Sequence, residues 1–564
     1  MGPCPVGYPY ARTGLVGGFM AQLRDTGLAE EEALSADPAT HANELLARVR
    51  ATAEATPNAT AYRAACRPEV TYGQLWADAC KVARALRERT GGRAPVIVYC
   101  DKSALAVASF LGCLLSGHAF VPVDCELPTM RVHDIASQIE RPTLLACVDV
   151  PSKLSAELSG STLIDARAAA HAPREAPVPP EGRWVRGEDT NYIIFTSGST
   201  GRPKGIEVSA ANVQHFMHWL RTFPVVRDGH RVFLDQAHYS FDLSEYELVG
   251  ALSTGGCLHA VSDHMSGDYR ALFADLAASD VEVWVSTPSF ADFCLVDRTF
   301  DEHLLPKLRL FLFCGEELRH ATAAKLRQRF PHAIVANTYG PTESTVAVTY
   351  AEIDDVALMG AESLPVGRAR EGTELRILDQ ATGAPLAPGA TGEIVIIGDT
   401  VAKGYYGNPE KTAEAFFDAR RGDGTPVRGY HTGDVGHLDE DGTLFCEGRM
   451  DSLVKLNGFR IELGEIEGCL EQMEGVSQAV VVPTRRSGRV YGLRAYVVLD
   501  QGHPCPRGKE AAPAAITDFA RAVKRYLGQH LPGYMVPRTV RVLDQLPLTA
   551  NGKVDRAALA VRKG

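Results

Sequence analysis

The chain has 564 residues, 45% hydrophobic and 23% charged, with a net charge of −11. This balance excludes a disordered, collagenous or coiled-coil protein, and at about 150 residues per domain the length allows two to four domains. The acidic excess disfavours a binder of nucleic-acid phosphates.

Cysteine is odd in number, 13, and scattered, with no Cys-x-x-Cys pair and no Cys/His cluster at zinc spacing. Neither a disulfide framework nor a zinc site is supported. Cys113, inside Phe110-Leu111-Gly112-Cys113-Leu114-Leu115, reads as a small buried hydrophobe. Met1 to Phe19 holds no apolar stretch of signal-peptide length, and the apolar run from Leu105 to Leu115 is too short to span a bilayer. The expectation is a cytoplasmic protein with reduced thiols and no membrane insertion.

Residues 1–41 are weakly patterned and read as an N-terminal extension. Leu45, Leu46, Val49 and Ala53 then recur at helical spacing over 42–55. Pro95 to Tyr99 reads as a buried strand, Ser103 to Leu115 as the following helix, and Ala119 to Val123 and Thr143 to Ala146 as further strands. Such alternation predicts an α/β protein with largely parallel sheets. Arg167 to Gly187, rich in Pro, Ala and Arg, reads as a surface linker. Over 374–450, strands such as Glu393 to Ile397 are separated by Gly and Pro turns without long helices, which predicts an antiparallel subdomain. Beyond Asp451 the pattern is mixed α+β, with a strand at Ala479 to Val482 and a helix from about Ile516 to Leu531.

The strongest local signal is Tyr192-Ile193-Ile194-Phe195-Thr196-Ser197-Gly198-Ser199-Thr200-Gly201-Arg202-Pro203-Lys204-Gly205. An apolar strand feeds a loop of hydroxyls and glycines that ends in a lysine. Glycine lets backbone N–H groups approach an anion, and Lys204 adds charge, as a nucleoside triphosphate requires. The spacing is not that of a Walker loop. A plain Ser/Gly linker is the competing reading, but it does not explain the buried strand or the Pro-Lys-Gly ending.

This segment resembles the signature of adenylate-forming enzymes: acyl-CoA synthetases, luciferases and the adenylation domains of nonribosomal peptide synthesis. Four further stretches resemble that family in its order. They are Tyr339-Gly340-Pro341-Thr342-Glu343, Tyr430-His431-Thr432-Gly433-Asp434, Gly448-Arg449-Met450-Asp451 with Gly458-Phe459-Arg460-Ile461-Glu462, and Asn551-Gly552-Lys553-Val554-Asp555-Arg556. The resemblance implies a large N-terminal domain over 42–450, with two α/β subdomains and a small antiparallel one, and a small mobile α+β lid over 451–564. It implies two half-reactions: ATP and a carboxylate give an acyl adenylate and pyrophosphate, and a thiol then takes the acyl group.

By the same resemblance, Thr196, Ser197, Gly198, Ser199, Thr200, Gly201, Lys204 and Thr342 hold the phosphates. Glu343 holds Mg²⁺, a hard cation that takes oxygen ligands. Lys553 bridges carboxylate and α-phosphate, which brings charge neutralisation to two anions. Gly315, Glu316, Tyr339, Asp434 and Arg449 receive adenine and ribose, and Asp451 is the hinge. Alone, Lys553, Asp434 and Asp451 would each read as ordinary turn or loop residues.

His238-Tyr239-Ser240-Phe241-Asp242-Leu243-Ser244 resembles the amino-acid-activating members, in which the Asp pairs with an α-ammonium. A plain acid cannot satisfy a buried carboxylate. A helix N-cap is the competing reading of Asp242. Aligned motifs put Leu243, Tyr246, Val285, Leu312, Cys314, Thr338, Val346 and Ala347 around the side chain. None is charged, so a small apolar amino acid fits best. Val283 to Ala291, Phe311 to Glu316 and Asn337 to Gly340 further resemble the members that load D-alanine onto a carrier protein, where the Cys314 position favours the D enantiomer. Tyr246 and the N-terminal extension depart from that pattern and leave glycine and L-alanine open. The acceptor is expected to be the phosphopantetheine thiol of a separate carrier protein, since no carrier segment follows Lys553, and a monomer is expected. The competing readings are an acyl-CoA or aryl-acid ligase and a non-catalytic nucleotide binder. Asp242 weighs against the former, and Lys553, Glu343 and Asp434 together weigh against the latter.

Overall fold

The computed structural model describes residues 43–561 except 66, 174, 199–201, 262–267, 361–362, 451–452, 487–488, 501–512 and 548–553. Two sheets carry most of the chain. The nine-stranded sheet runs Arg368–Ala369, Thr349–Glu352, Ile334–Tyr339, Leu310–Phe313, Val283–Ser286, Val232–Asp235, Cys257–Ala260, Thr60–Ala64, Val70–Thr71. Its six inner strands are parallel, and the remaining edge strands are antiparallel. The seven-stranded sheet runs Gly404–Tyr405, Lys204–Ser209, Thr190–Thr196, Phe120–Asp124, Val96–Cys100, Thr143–Ala146, Thr162–Asp165. Parallel sheets need both faces covered, and strands Val96–Cys100, Thr143–Ala146, Val283–Ser286 and Leu310–Phe313 are accordingly buried along their whole length.

Helices Tyr72–Arg89 and Ala104–Ser116 pack on one another. Ala104–Ser116 is apolar on all sides and buried from Ala106 to Ser116, as a core helix must be. The Ser103 side chain accepts from the Ala106 amide and starts the helix. Phe110 stacks on Phe120 at 4.6 Å, which ties the helix to the second sheet. One hydrophobic cluster runs continuously from Leu45 to Leu444 through these elements.

An antiparallel sheet of Thr373–Leu378, Gly392–Gly398, Pro426–Leu438, Phe416–Arg420 and Leu444–Arg449 follows. The last elements are the hairpin Leu453–Leu456/Phe459–Glu462, a three-stranded sheet (Val476–Arg486, Arg489–Leu499, Thr539–Leu543) and helices Leu463–Glu471 and Pro513–His530 around their own core. The α/β architecture with a smaller α+β C-terminal part is as expected. Among the described residues no helix is long and apolar enough to cross a membrane.

The expected surface linker at 167–187 holds only in part: the described residues over 171–180 are loop and mostly exposed, but the two ends are built into the fold. Ala166–Ala170 is helical, and Trp184 is fully buried. Its indole N–H donates to the Pro179 carbonyl at 2.9 Å and its ring meets Trp76 edge-on at 6.3 Å. One large aromatic anchor pins the end of this loop to the core.

Candidate functional site

The site lies where the C-terminal ends of several strands meet the Leu453–Leu456/Phe459–Glu462 hairpin. Strand Thr190–Thr196 delivers Thr196, whose buried hydroxyl has no hydrogen-bond partner among the described residues. Ser197 donates to the Arg460 carbonyl at 2.7 Å and accepts from the Glu462 amide at 3.1 Å. The Gly198 amide donates to Glu465 Oε2 at 3.1 Å. Ser199, Thr200 and Gly201 lie outside the described residues. Lys204 opens the returning strand, with its ammonium 3.7 Å from Glu343 Oε1. Burial pushes the Lys204 pKa down to about 8, Arg460 adds to that, and Glu343 opposes it.

Glu343 sits in the short turn Thr342–Ser344 and is fully buried. Its Oε2 accepts from Arg460 at 2.7 Å and its Oε1 from the Tyr405 hydroxyl at 3.0 Å. Burial works to raise its pKa, but Arg460 and Lys204 outweigh it and hold the carboxyl at about 2. An ionised carboxylate is the kind of oxygen ligand that a divalent cation takes.

Asp434 accepts from the Tyr339 hydroxyl at 2.7 Å and from Arg449 at 2.6 Å. Together with Gly315, Glu316 and Thr338 these residues line a cavity of about 620 Å³, a size ordinary for a nucleoside-sized ligand. The unpartnered Thr196 hydroxyl, the Lys204 ammonium and this cavity together fit a nucleoside triphosphate. Glu316 is also tied elsewhere: it accepts from the Ser289 amide at 3.2 Å and the Gly458 amide at 2.8 Å.

Asp242 rides on a loop that is fastened at both ends. Glu247 Oε1 accepts from the Gln236 and Ala237 amides at 3.0 Å, and the Tyr239 hydroxyl donates to Asp235 at 2.8 Å. Helix Ser244–Ser253 follows, with no side-chain cap, so Asp242 is not an N-cap. Its Oδ2 has no hydrogen-bond partner among the described residues, although the residue is 6% exposed. Burial pushes its pKa up to about 7, against a hydrogen bond from Thr342. A buried carboxylate left short of a partner is costly and suits an incoming cation.

Asp242, Leu243, Cys314, Thr342 and Val346 line a cavity of about 40 Å³, room for a few waters or a very small side chain. The Cys314 thiol donates to the Val346 carbonyl at 3.8 Å, and burial raises its pKa. It is a wall of the pocket rather than a thiolate. Val346 itself stands at φ +69°, a left-handed conformation that a β-branched residue rarely adopts. Tyr246, Val285 and Leu312, expected around the side chain, are completely buried in the main hydrophobic cluster and do not line this cavity. The Tyr246 hydroxyl donates to Thr338 at 3.0 Å, and Thr338 donates to the Phe313 carbonyl at 2.8 Å. Ala347 is buried in the same core.

The sequence reading missed Lys455, Arg460 and Glu465 as site residues. Lys455 lines both cavities, and Arg460 lines the smaller one. The tip of the hairpin is Gly458, at φ +86°, and a Cβ there would lie 2.4 Å from Thr287 Cγ2, so only glycine allows this approach. That glycine, with the Gly458-Phe459-Arg460-Ile461-Glu462 stretch it opens, was the signal in the sequence for this hairpin. Asp451 and Lys553 lie outside the described residues. Near Lys553, the Asp555 amide donates to the Pro547 carbonyl and Arg556 pairs with Glu467 at 2.6 Å.

The AMP-binding enzyme family model matches residues 49–406, and the AMP-binding enzyme C-terminal domain model matches 465–553. The chain is 41% identical over 497 residues to the D-alanine--D-alanyl carrier protein ligase of Bacillus licheniformis, covering 87% of this chain and 94% of that one. It is 38% identical over 521 residues to the protein of the same name from Listeria monocytogenes serotype 4a, covering 91% and 98%. Among solved structures it is similar to a holo NRPS protein containing adenylation and PCP domains, bound to a vinylsulfonamide inhibitor, with a TM-score of 0.75 and 27% identity over 91% of this chain and 83% of that one. It shares the fold of o-succinylbenzoate CoA synthetase from Bacillus subtilis, with a TM-score of 0.76 and 20% identity over 93% and 99%.

Proposed function

Because the chain belongs to the AMP-binding enzyme family, we propose that it activates D-alanine with ATP as D-alanyl-AMP and transfers the D-alanyl group to the phosphopantetheine thiol of a separate carrier protein. The observation that carries this reading is Asp242, a buried carboxylate with an unpartnered oxygen beside a cavity of about 40 Å³ walled by Cys314 and Val346. An α-ammonium answers the carboxylate and a methyl group fits the space, whereas a fatty or aryl acid leaves Asp242 unpaired. The names and coverage of the most similar relatives support the same substrate and acceptor.

In the first half-reaction, Thr196, Ser197, Gly198, Ser199, Thr200 and Lys204 hold the phosphates of ATP. Tyr339 packs on the adenine, and Asp434, held by Arg449, takes the ribose hydroxyls. Glu343 would hold Mg²⁺, which would supply positive charge to screen the phosphates. Lys553 neutralises the carboxylate and the α-phosphate as the carboxylate oxygen forms its bond to phosphorus and pyrophosphate leaves. In the second half-reaction the thiol attacks the acyl carbonyl, and AMP leaves. The described arrangement suits this second half: Lys455 lines both cavities, Gly458 lines the smaller one, and Arg460 has taken Glu343. Residues 42–450 form the catalytic body, 451–564 form the lid, and Asp451 is the hinge between them. The protein acts as a cytoplasmic monomer.

The test is amino-acid-dependent exchange of labelled pyrophosphate into ATP. Exchange with D-alanine well above L-alanine and glycine is expected. Exchange with plain carboxylic acids alone would remove the role given to Asp242.

A further inference from the structure

Glu465 belongs to no motif used above, yet it is fully buried and its carboxylate lies on the phosphate loop. Oε2 accepts from the Gly198 amide at 3.1 Å, and Oε1 pairs with Arg131. Both side chains are almost fully buried, Arg131 at 5% and Glu465 at 0%. Arg131 lies on helix Thr129–Ala136, which packs against helix Pro513–His530 of the C-terminal part. Ser197, the neighbour of Gly198, is taken by the Arg460 carbonyl and the Glu462 amide. A backbone N–H in a glycine-rich loop is an anion receptor, and here an internal carboxylate fills it.

We propose that Glu465 is a positioning residue that stands in for the leaving phosphates: its carboxylate docks on the Gly198 amide only when pyrophosphate has gone, so docking of the lid for thiol transfer is conditional on pyrophosphate release. Arg131 orients the carboxylate. The inference rests on the two-step reaction proposed above, but it concerns the loop and the lid and not the identity of the amino acid. Two anions cannot share one N–H donor, so each excludes the other, and the coupling is reciprocal. Pyrophosphate lowers the population of the docked lid, and the docked lid weakens pyrophosphate.

The experiment titrates inorganic pyrophosphate calorimetrically into the full-length wild type, Glu465→Gln, and the swapped pair Arg131→Glu/Glu465→Arg. Removing the competing charge is expected to tighten pyrophosphate about fivefold or more. The same Glu465→Gln variant should transfer its aminoacyl group to the carrier thiol more slowly in a single turnover. The swapped pair restores an interdomain ion pair but puts no anion on the amide, so it should behave as Glu465→Gln does. Unchanged pyrophosphate affinity in Glu465→Gln, or wild-type behaviour in the swapped pair, would overturn the proposal. Should either variant fail to fold, hydrogen–deuterium exchange of the wild type decides. Pyrophosphate is expected to speed exchange of amides over 459–471, and no change there overturns it. Pyrophosphate binding needs no amino acid, so a wrong choice of amino acid leaves these outcomes readable.

Discussion

Arg460 and Glu343, 117 residues apart in the chain, meet as a buried ion pair at 2.7 Å. The pair joins the C-terminal hairpin to the turn that the proposed reaction assigns to Mg²⁺. Lys204 and the Tyr405 hydroxyl complete the shell around the carboxylate. One carboxylate oxygen cannot serve a guanidinium and a metal ion at once, so cation binding and this docked arrangement compete. Arg460→Ala should therefore lower the Mg²⁺ concentration for half-maximal pyrophosphate exchange about fivefold. A magnesium titration of the exchange rate checks this.

Asp242→Asn should cost D-alanine activation about a hundredfold or more in kcat/KM. The substrate ammonium would lose its ionic partner in a desolvated pocket, and breaking such a pair costs about 3–5 kcal/mol. ATP binding, measured by calorimetry without amino acid, should stay near wild type, because Asp242 faces the smaller cavity.

The pKa of Asp242 gives a pH dependence of definite sign. Burial pushes it up to about 7, so the pocket of the free enzyme is protonated below that pH. An α-ammonium needs the ionised form. D-alanine kcat/KM should then fall about tenfold per pH unit below 7, with the loss appearing in KM. Stability carries the opposite sign. Between the unfolded pKa of about 3.9 and the folded value, the native state holds a proton that the unfolded chain has released, so this group destabilises the fold increasingly as pH rises through that window. Asp242→Asn should melt at a higher temperature than wild type at pH 8, and the gap should close towards pH 4. Thermal scans at the two pH values test it.

Cys314 is buried, and its thiol is raised above the usual value by desolvation. The thiolate is the reactive form, so iodoacetamide at pH 7.5 should leave exchange activity intact over times that modify an exposed thiol. Cys314→Ala should keep D-alanine exchange within about tenfold, since a small pocket change is worth about 1–3 kcal/mol, while narrowing the preference over L-alanine. Mass analysis of labelled peptides and exchange with both enantiomers give the two readouts.

What the chain disclosed in advance follows from how local each feature is. Strand Thr190–Thr196 and its loop, the turn at Glu343 and the Asp242 loop are each single segments in which spacing and residue type carry the chemistry. Leu45, Leu46, Val49 and Ala53 were readable as the buried face of helix Glu44–Ala55 because helical periodicity is local too. The contacts that fill the site in the docked arrangement were not readable. Arg460 to Glu343 spans 117 residues, Gly198 to Glu465 spans 267 and Arg131 to Glu465 spans 334. Nothing in a one-dimensional pattern says which arginine a buried carboxylate will meet. The burial of Trp184 was not readable for a related reason: the partner that covers it, Trp76, lies more than 100 residues away.

The most direct test of the central claim incubates the protein with ATP, Mg²⁺, D-alanine and a carrier protein bearing phosphopantetheine, and weighs the carrier intact. The account predicts a mass gain of one alanyl group on the carrier that needs ATP, is lost in Asp242→Asn, and is much slower with L-alanine. No gain with D-alanine, alongside thioester formation from a plain carboxylic acid, would contradict it.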